Sequence, residues 1–147
     1  MHDKRLTTRL ISYWDQIRKQ RVMPEIVMLN PASIEEMWKQ CFLLAVLPSN
    51  QDTRQYNYEY MAPQIIEAYG RNLTGQIVNI KARTFPGSKV ISKVDELILK
   101  PAPVIEEGQF VSENNKIVKF RSCLLPFGKE SGEVTHIVGG VSWRTFG

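Results

Sequence analysis

The strongest indication of the fold is in residues 42–60, FLLAVLPSNQDTRQYNYEY. The first six of these residues form a continuous apolar run that ends at Pro48, a pattern typical of a buried strand. After a polar segment, residues 54–60 alternate between tyrosine and polar side chains. A period of two predicts a second strand with one buried face. Together the two segments predict an antiparallel hairpin through the polar turn.

Three more strands are predicted in the last third of the chain. They cover residues 104–111, 117–125 and 134–143, with turn signals at Asn114-Asn115 and at residues 129–132. We expect the first and last of the five strands to be central, because buried strands are continuously apolar. Gly139-Gly140 in the last strand indicates a bulge or the close approach of another chain element.

Helical spacing occurs in four places. The first helix, about Thr7–Gln20, has an apolar stripe and ends before Pro24. Ser33 and Glu36 resemble a capping box that opens a second helix. A third is predicted over Pro63–Gly70 and a fourth over Val90–Leu99. The stripe of the first helix, which must fold back on its own sheet or pack against a second copy, consists of Leu6, Leu10, Tyr13, Trp14 and Ile17.

This order of elements predicts an α+β fold with one five-stranded antiparallel sheet, short helices on one face and an N-terminal amphipathic helix. The length of 147 residues suits a single core. We divide the chain into a flanking helix, residues 1–23, and a globular domain, residues 24–147. No apolar run is long enough to span a membrane and no signal peptide is evident, so we expect a cytoplasmic protein.

The basic character of the chain is confined to its first segment. Residues 1–21 carry six Lys/Arg and two Asp, a net charge of +4 that equals the net charge of the whole chain. A nucleic-acid-binding protein usually has a broader basic surface. A solvated helix face is therefore the favoured interpretation, and nucleic-acid binding through the first helix is the weaker alternative.

Catalytic and metal-binding motifs are missing from the sequence. Two cysteines, Cys41 and Cys123, exclude a disulfide framework and a four-cysteine zinc site, and we expect them to be small buried apolar residues. His136 is expected to be a packed or half-exposed strand residue. The adjacent pairs Glu35-Glu36 and Glu106-Glu107 point in different directions and form no acid/base couple. We predict no metal site and no enzyme.

The tyrosine stripe leaves two interpretations open, sheet packing or the wall of a ligand site. We expect Tyr56, Tyr58 and Tyr60 to face the covering helices, because the opposite polar set is costly to bury. A mostly apolar pocket between the sheet and the short helices is predicted. Besides the three tyrosines, its lining is Ile65, Ile66, Tyr69, Val94, Ile98, Phe120 and Leu124. A small α+β cone enzyme that uses these tyrosines as donors is the alternative function.

The order of several short motifs resembles a PAS (Per-ARNT-Sim) domain, and more narrowly a bacterial family of small single-domain PAS proteins. Nearly the whole chain is covered. One departure is Ala62-Pro63, where the family has Gly-Thr after the tyrosine strand. The matching motifs are Tyr13-Trp14 with Arg18 and Pro24, Asn30-Pro31, the tyrosine strand, Tyr69-Gly70, Leu73-Thr74-Gly75, Leu124-Leu125-Pro126, Gly132 and Ile137-Val138-Gly139-Gly140.

The resemblance implies a sensor or interaction module that binds a small ligand or pairs with other proteins. Leu73 stands where the flavin photosensor motif has its adduct-forming cysteine, so no flavin photoadduct is expected. No histidine lies in a predicted helix, so we expect no haem. Output through a partner is implied, such as a sensor kinase or a cyclic-dinucleotide enzyme. The first helix implies a homodimer.

Overall fold

The computed structural model describes residues 4–48, 54–82 and 85–147. The α-helices are α1 (Lys4–Arg18), α2 (Glu35–Trp38), α3 (Pro63–Tyr69) and α4 (Val94–Leu99). The strands are β1 (Cys41–Val46), β2 (Tyr56–Met61), β3 (Ile77–Val78), β4 (Val104–Val111), β5 (Ile117–Gly128) and β6 (Val134–Phe146). Short 3₁₀ helices cover Ile26–Met28, Pro31–Ile34 and Ser88–Ile91.

One antiparallel sheet organises the domain, with the strand order β3-β2-β1-β6-β5-β4. The predicted α+β class and the central position of the first and last strands are confirmed. The β1–β2 hairpin is confirmed by its pairing, although residues 49–53 of its turn lie outside the described part of the chain. The sheet has six strands and not five. The sequence does not predict the additional strand β3, because its two residues are too few to show a period of two.

Helix α1 lies on one face of the sheet, here called the outer face. The Trp14 indole donates to the carbonyl oxygen of Pro126 at 2.7 Å, and Arg121 donates to the Thr7 hydroxyl at 3.2 Å. A Cβ at Gly140 would lie 2.1 Å from Leu10 Cδ1. At Gly139, on the opposite inner face, a Cβ would lie 2.0 Å from the Phe42 ring. The two glycines therefore permit close approach, and the β5–β6 register passes through them without a bulge.

The inner face of the sheet is covered by α3, the 3₁₀ helix Ser88–Ile91 and α4. Helix α3 ends at Gly70, whose left-handed backbone (φ 77°) closes the helix as predicted. The single helix predicted over Val90–Leu99 is wrong: a 3₁₀ helix and α4 share this segment. The apolar spacing is kept, and Val90, Val94 and Leu97 are buried.

The capping box predicted at Ser33 is also wrong. The residue that caps the turn is Asn30, whose side chain accepts from the Ala32 amide at 3.2 Å. Pro31 then opens a 3₁₀ helix that precedes the short α2, and Ser33 donates to the Asn30 carbonyl at 2.7 Å. Helix α2 ends at Trp38, and Cys41 is already the first residue of β1.

A β-bulge in β2 moves one of the three tyrosines to the other face. Leu44 pairs with Tyr58 but Leu43 pairs with Tyr60, so Glu59 is an extra residue in the strand. Tyr60 therefore lies on the outer face, where it stacks on Trp38 at 5.1 Å. The prediction that all three tyrosines face the covering helices is correct for Tyr56 and Tyr58 and wrong for Tyr60.

Candidate ligand site

Most of the predicted pocket residues lie in one buried region of the inner face. Tyr56, Tyr58, Ile65, Tyr69, Val94, Phe120 and Leu124 are all buried in the core. Ile66 and Ile98 are half-buried at its margin, and Ile98 lines a separate surface cavity near Arg54 and Val134. Tyr60 lies on the other side of the sheet. The buried part of the predicted lining therefore leaves out Tyr60, Ile66 and Ile98.

Two phenol hydroxyls are the unusual feature of this region. Among the described residues, the Tyr58 and Tyr69 hydroxyls are buried without a hydrogen-bond partner. Burial raises the pKa of both phenols well above the ordinary value, and the neighbouring Tyr58 contributes to the shift at Tyr69. Both are therefore neutral donors. An unpaired buried hydroxyl costs about 1–3 kcal/mol, and such groups normally bind something.

Aromatic rings pack against the rings of both tyrosines. Phe42 packs against Tyr58 with ring centroids 5.7 Å apart, and Phe110 packs edge-on against Tyr69 at 5.3 Å. Phe120 follows at 6.0 Å from Phe110. The region combines a mainly apolar wall with two hydroxyl donors, which is the usual composition of a small-molecule site.

Gly87 separates this region from the surface. A cavity of about 520 Å³, with Gly87 in its wall, opens to solvent between Arg71, Lys89 and Glu113. A Cβ at Gly87 would lie 2.2 Å from the Tyr69 ring and 2.9 Å from its hydroxyl oxygen. Gly87 also has a left-handed backbone (φ 76°), which disfavours any other residue. Because Gly87 has no side chain, the Tyr69 ring lies directly behind the wall of this cavity.

The sequence did not reveal the partner of the third inner-face phenol. The Tyr56 hydroxyl donates to Asp95 Oδ1 at 2.5 Å, across 39 positions of the chain. Burial, followed by Asp95, raises the pKa of Tyr56. A phenol held neutral in this way does not act as a base at neutral pH. The pair instead ties α4 to β2, and no sequence spacing could have indicated it.

The other candidate groups occupy separate places. Cys41 and Cys123 are buried as predicted, and burial raises the pKa of both thiols. His136 is half-exposed on the outer face, 3.5 Å from Glu59. Glu106 accepts from Ser92, whereas Glu107 pairs with Arg121, so this adjacent pair does point in different directions. Within the described ranges, no group of three His, Cys, Asp or Glu side chains is placed to hold a metal ion.

The apolar stripe of the first helix packs on the sheet of its own chain. Leu6, Leu10 and Trp14 are buried on the outer face of the sheet, so the helix folds back on its own domain. Tyr13 and Ile17 are only partly buried, and with Met28 they line a surface cavity of about 620 Å³. A homodimer that uses this stripe would involve mainly these two residues.

Comparisons with solved structures show the fold. The aureochrome 1 LOV domain in its dark state superposes with a TM-score of 0.54 and 13% identity, covering 77% of this chain and 80% of that chain. A light-oxygen-voltage domain studied with a flavin analogue gives 0.52 and 13% over 82% and 88%. A variant of Vivid gives 0.51 and 19% over 90% and 91%.

The sequence was also compared with curated proteins and with family models. No match was found among curated proteins. None of the described helices has the length and apolar character to cross a membrane.

The family model described as a PAS domain matches residues 2–142, which includes α1, the tyrosine strand and β6 as far as Ser142. The chain therefore belongs to the PAS domain family.

Proposed function

We propose that this PAS domain is a non-enzymatic sensory module that binds a small molecule at the Tyr58 and Tyr69 hydroxyls and signals through a partner protein. The observation that carries the proposal is the pair of buried donors without partners. A ligand acceptor group would pair with them and offset a cost of about 1–3 kcal/mol for each hydroxyl. The predicted lining on α3, α4 and β5 would supply the apolar wall.

The chemistry of the site favours a compact and mainly apolar ligand with one or two acceptor atoms. Phe42, Phe110 and Phe120 offer ring faces and edges but no hydrogen bonds. Both nearby hydroxyls are neutral and donate, so a carbonyl or ring nitrogen fits better than an ammonium group. Leu73 is buried and carries no thiol, so we propose a ligand that acts by occupancy and forms no photoadduct.

A ligand at this site would act on neighbouring elements through Tyr69. Its ring lies between Gly87 and Phe110, so a movement of Tyr69 would displace residues 85–89 and β4. We propose that residues 24–147 hold the site and that residues 1–23 are a flanking segment, which contains α1. The partner would be a signalling protein such as a sensor kinase or a cyclic-dinucleotide enzyme, and a homodimer remains part of the proposal.

A thermal-shift screen of a small-molecule library tests the ligand site. Compounds that bind here raise the Tm of the wild-type protein and fail to raise the Tm of Tyr69→Phe or Tyr58→Phe. Tyr60→Phe is the matched control, because Tyr60 lies on the outer face. Equal shifts in wild type and both inner-face variants would contradict the proposed site.

A further inference from the structure

Three exposed apolar side chains form a row across the end of the sheet. Val111 pairs with Ile117, and Ile117 pairs with Phe146, so the three residues lie side by side on β4, β5 and β6. Their exposed fractions are 63%, 41% and 43%. Paired residues in adjacent strands share a face, which is the outer face here. We call these three residues the apolar row.

A second row beside the first carries positive charge. Two residues further along each strand lie Gln109, Lys119 and Arg144, which also pair across the same three strands. The Lys119 ammonium lies 5.2 Å above the Phe146 ring. In the part of the chain that the structure describes, neither Lys119 nor Arg144 forms an ion pair. The two rows contain no acidic residue, so the surface is apolar with a cationic margin.

The dimensions of the apolar row match one face of a helix. Strands in a sheet are about 4.8 Å apart, so three neighbouring strands span about 10 Å. This is close to two helical turns of about 5.4 Å each. A helix laid across the strands would place apolar residues at i, i+3 or i+4, and i+7 over the row. Its flank would then face the cationic row about 7 Å away along the strands.

We infer that the apolar row and its cationic margin bind an acidic amphipathic helix of a partner protein. The inference rests on the proposed function, because it names the surface for the protein contact suggested there. Carboxylates beside the apolar stripe of the partner would pair with Lys119 and Arg144. A second copy of this chain fits less well, since self-pairing of the two rows brings four cations together and no anion.

Selection of short random peptides displayed on phage, with the wild-type protein as bait, tests this surface. Peptides recovered should be acidic and have apolar residues at helical spacing. Ile117→Asp should lower their affinity at least about tenfold, and Arg144→Glu should do the same by reversing a charge at the margin. Binding should weaken as the ionic strength rises above about 0.15 M. Ile77→Asp is the matched control, because Ile77 is an exposed strand isoleucine (58%) at the opposite edge of the sheet.

Each other outcome overturns the inference. Recovery of neutral or basic peptides, or of none, would contradict the partner chemistry. Acidic peptides whose affinity is unchanged by both Ile117→Asp and Arg144→Glu bind elsewhere, so the surface would be wrong while the proposed protein contact would stand. Self-association that Ile117→Asp abolishes would show that a second copy covers the row. Circular dichroism of both variants distinguishes lost binding from lost folding.

Discussion

Because α1 packs on the sheet at Gly140, the effect of Gly140→Ala on stability should depend on Leu10. The substitution should destabilise the wild-type protein and be neutral or stabilising in the Leu10→Ala variant. Gly140→Ala would place a Cβ 2.1 Å from Leu10 Cδ1. Overpacking of this kind costs about 1–3 kcal/mol of unfolding free energy. Alanine also restricts the unfolded chain, which contributes about 0.4–1 kcal/mol in the other direction. The net loss expected in the wild-type background is about 1–2 kcal/mol.

Leu10→Ala removes the group that the new methyl meets. The substitution itself costs about 2–5 kcal/mol, because Leu10 is fully buried. In that background Gly140→Ala should be neutral or stabilising by up to about 1 kcal/mol, since only the effect on the unfolded chain remains. The expected coupling free energy between the two sites is therefore about 1–3 kcal/mol.

Urea denaturation of the wild type, both single variants and the double variant measures this coupling. Gly139→Ala is the control, because its Cβ meets Phe42 on the inner face and its cost should not depend on Leu10. An equal cost of Gly140→Ala in both backgrounds would refute the packing of α1 over Gly140. A midpoint that depends on protein concentration would show that the helix packs on a second copy instead.

Three further predictions concern two hydrogen bonds and one buried thiol. Trp14→Phe removes the 2.7 Å bond to Pro126 and should cost about 1–3 kcal/mol in urea denaturation; an unchanged midpoint would contradict that bond. Asp95→Ala leaves the Tyr56 hydroxyl buried without its partner and should cost about 1–3 kcal/mol, whereas Asp95→Asn, which keeps an acceptor, should cost less; equal costs would contradict the pair. Burial raises the pKa of Cys123 from 9.0 to about 12. As the pH rises, this thiol ionises in the unfolded chain before it ionises in the folded protein. The thiol therefore leaves the unfolding free energy unchanged below pH 9. Above pH 9 it lowers the unfolding free energy by up to about 1.4 kcal/mol per pH unit. Cys123→Ala should flatten that fall in denaturation measured from pH 8 to 11.

Much of the fold was predictable because its signals are local. The alternation of Tyr56 and Tyr58 and the apolar run of β1 indicated the hairpin that supplies β1, one of the two central strands of the sheet. Gly139-Gly140 indicated a close approach that both faces of β6 confirm. These features follow from side-chain periodicity and from the steric demand for a missing Cβ.

The errors lie where tertiary contacts decide. The bulge at Glu59 adds one residue to β2 with no glycine or proline to announce it, and the face of Tyr60 changes as a result. Strand β5 continues past the predicted end at Leu125. Pro126 is tolerated because β4 pairs only as far as Leu124, which leaves one side of β5 open at that point.

The candidate site was only partly predictable for the same reason. The apolar lining on Ile65, Val94 and Phe120 follows from local patterns, and all three are buried. The pairing of Tyr56 with Asp95, and the absence of a described partner for Tyr58 and Tyr69, depend on contacts between distant segments. Spacing along the chain carries no information on such contacts.

Native mass spectrometry of the protein purified from cells tests whether the Tyr58 and Tyr69 hydroxyls bind a small molecule. We expect a small-molecule adduct on the wild-type protein that is lost from the Tyr58→Phe/Tyr69→Phe double variant, while the Tyr60→Phe control keeps it. Removal of two unpaired hydroxyls should leave the double variant folded, because each replacement deletes a buried polar group and keeps the ring. A wild-type protein that carries no adduct, or an adduct retained by the folded double variant, would contradict the proposed ligand site.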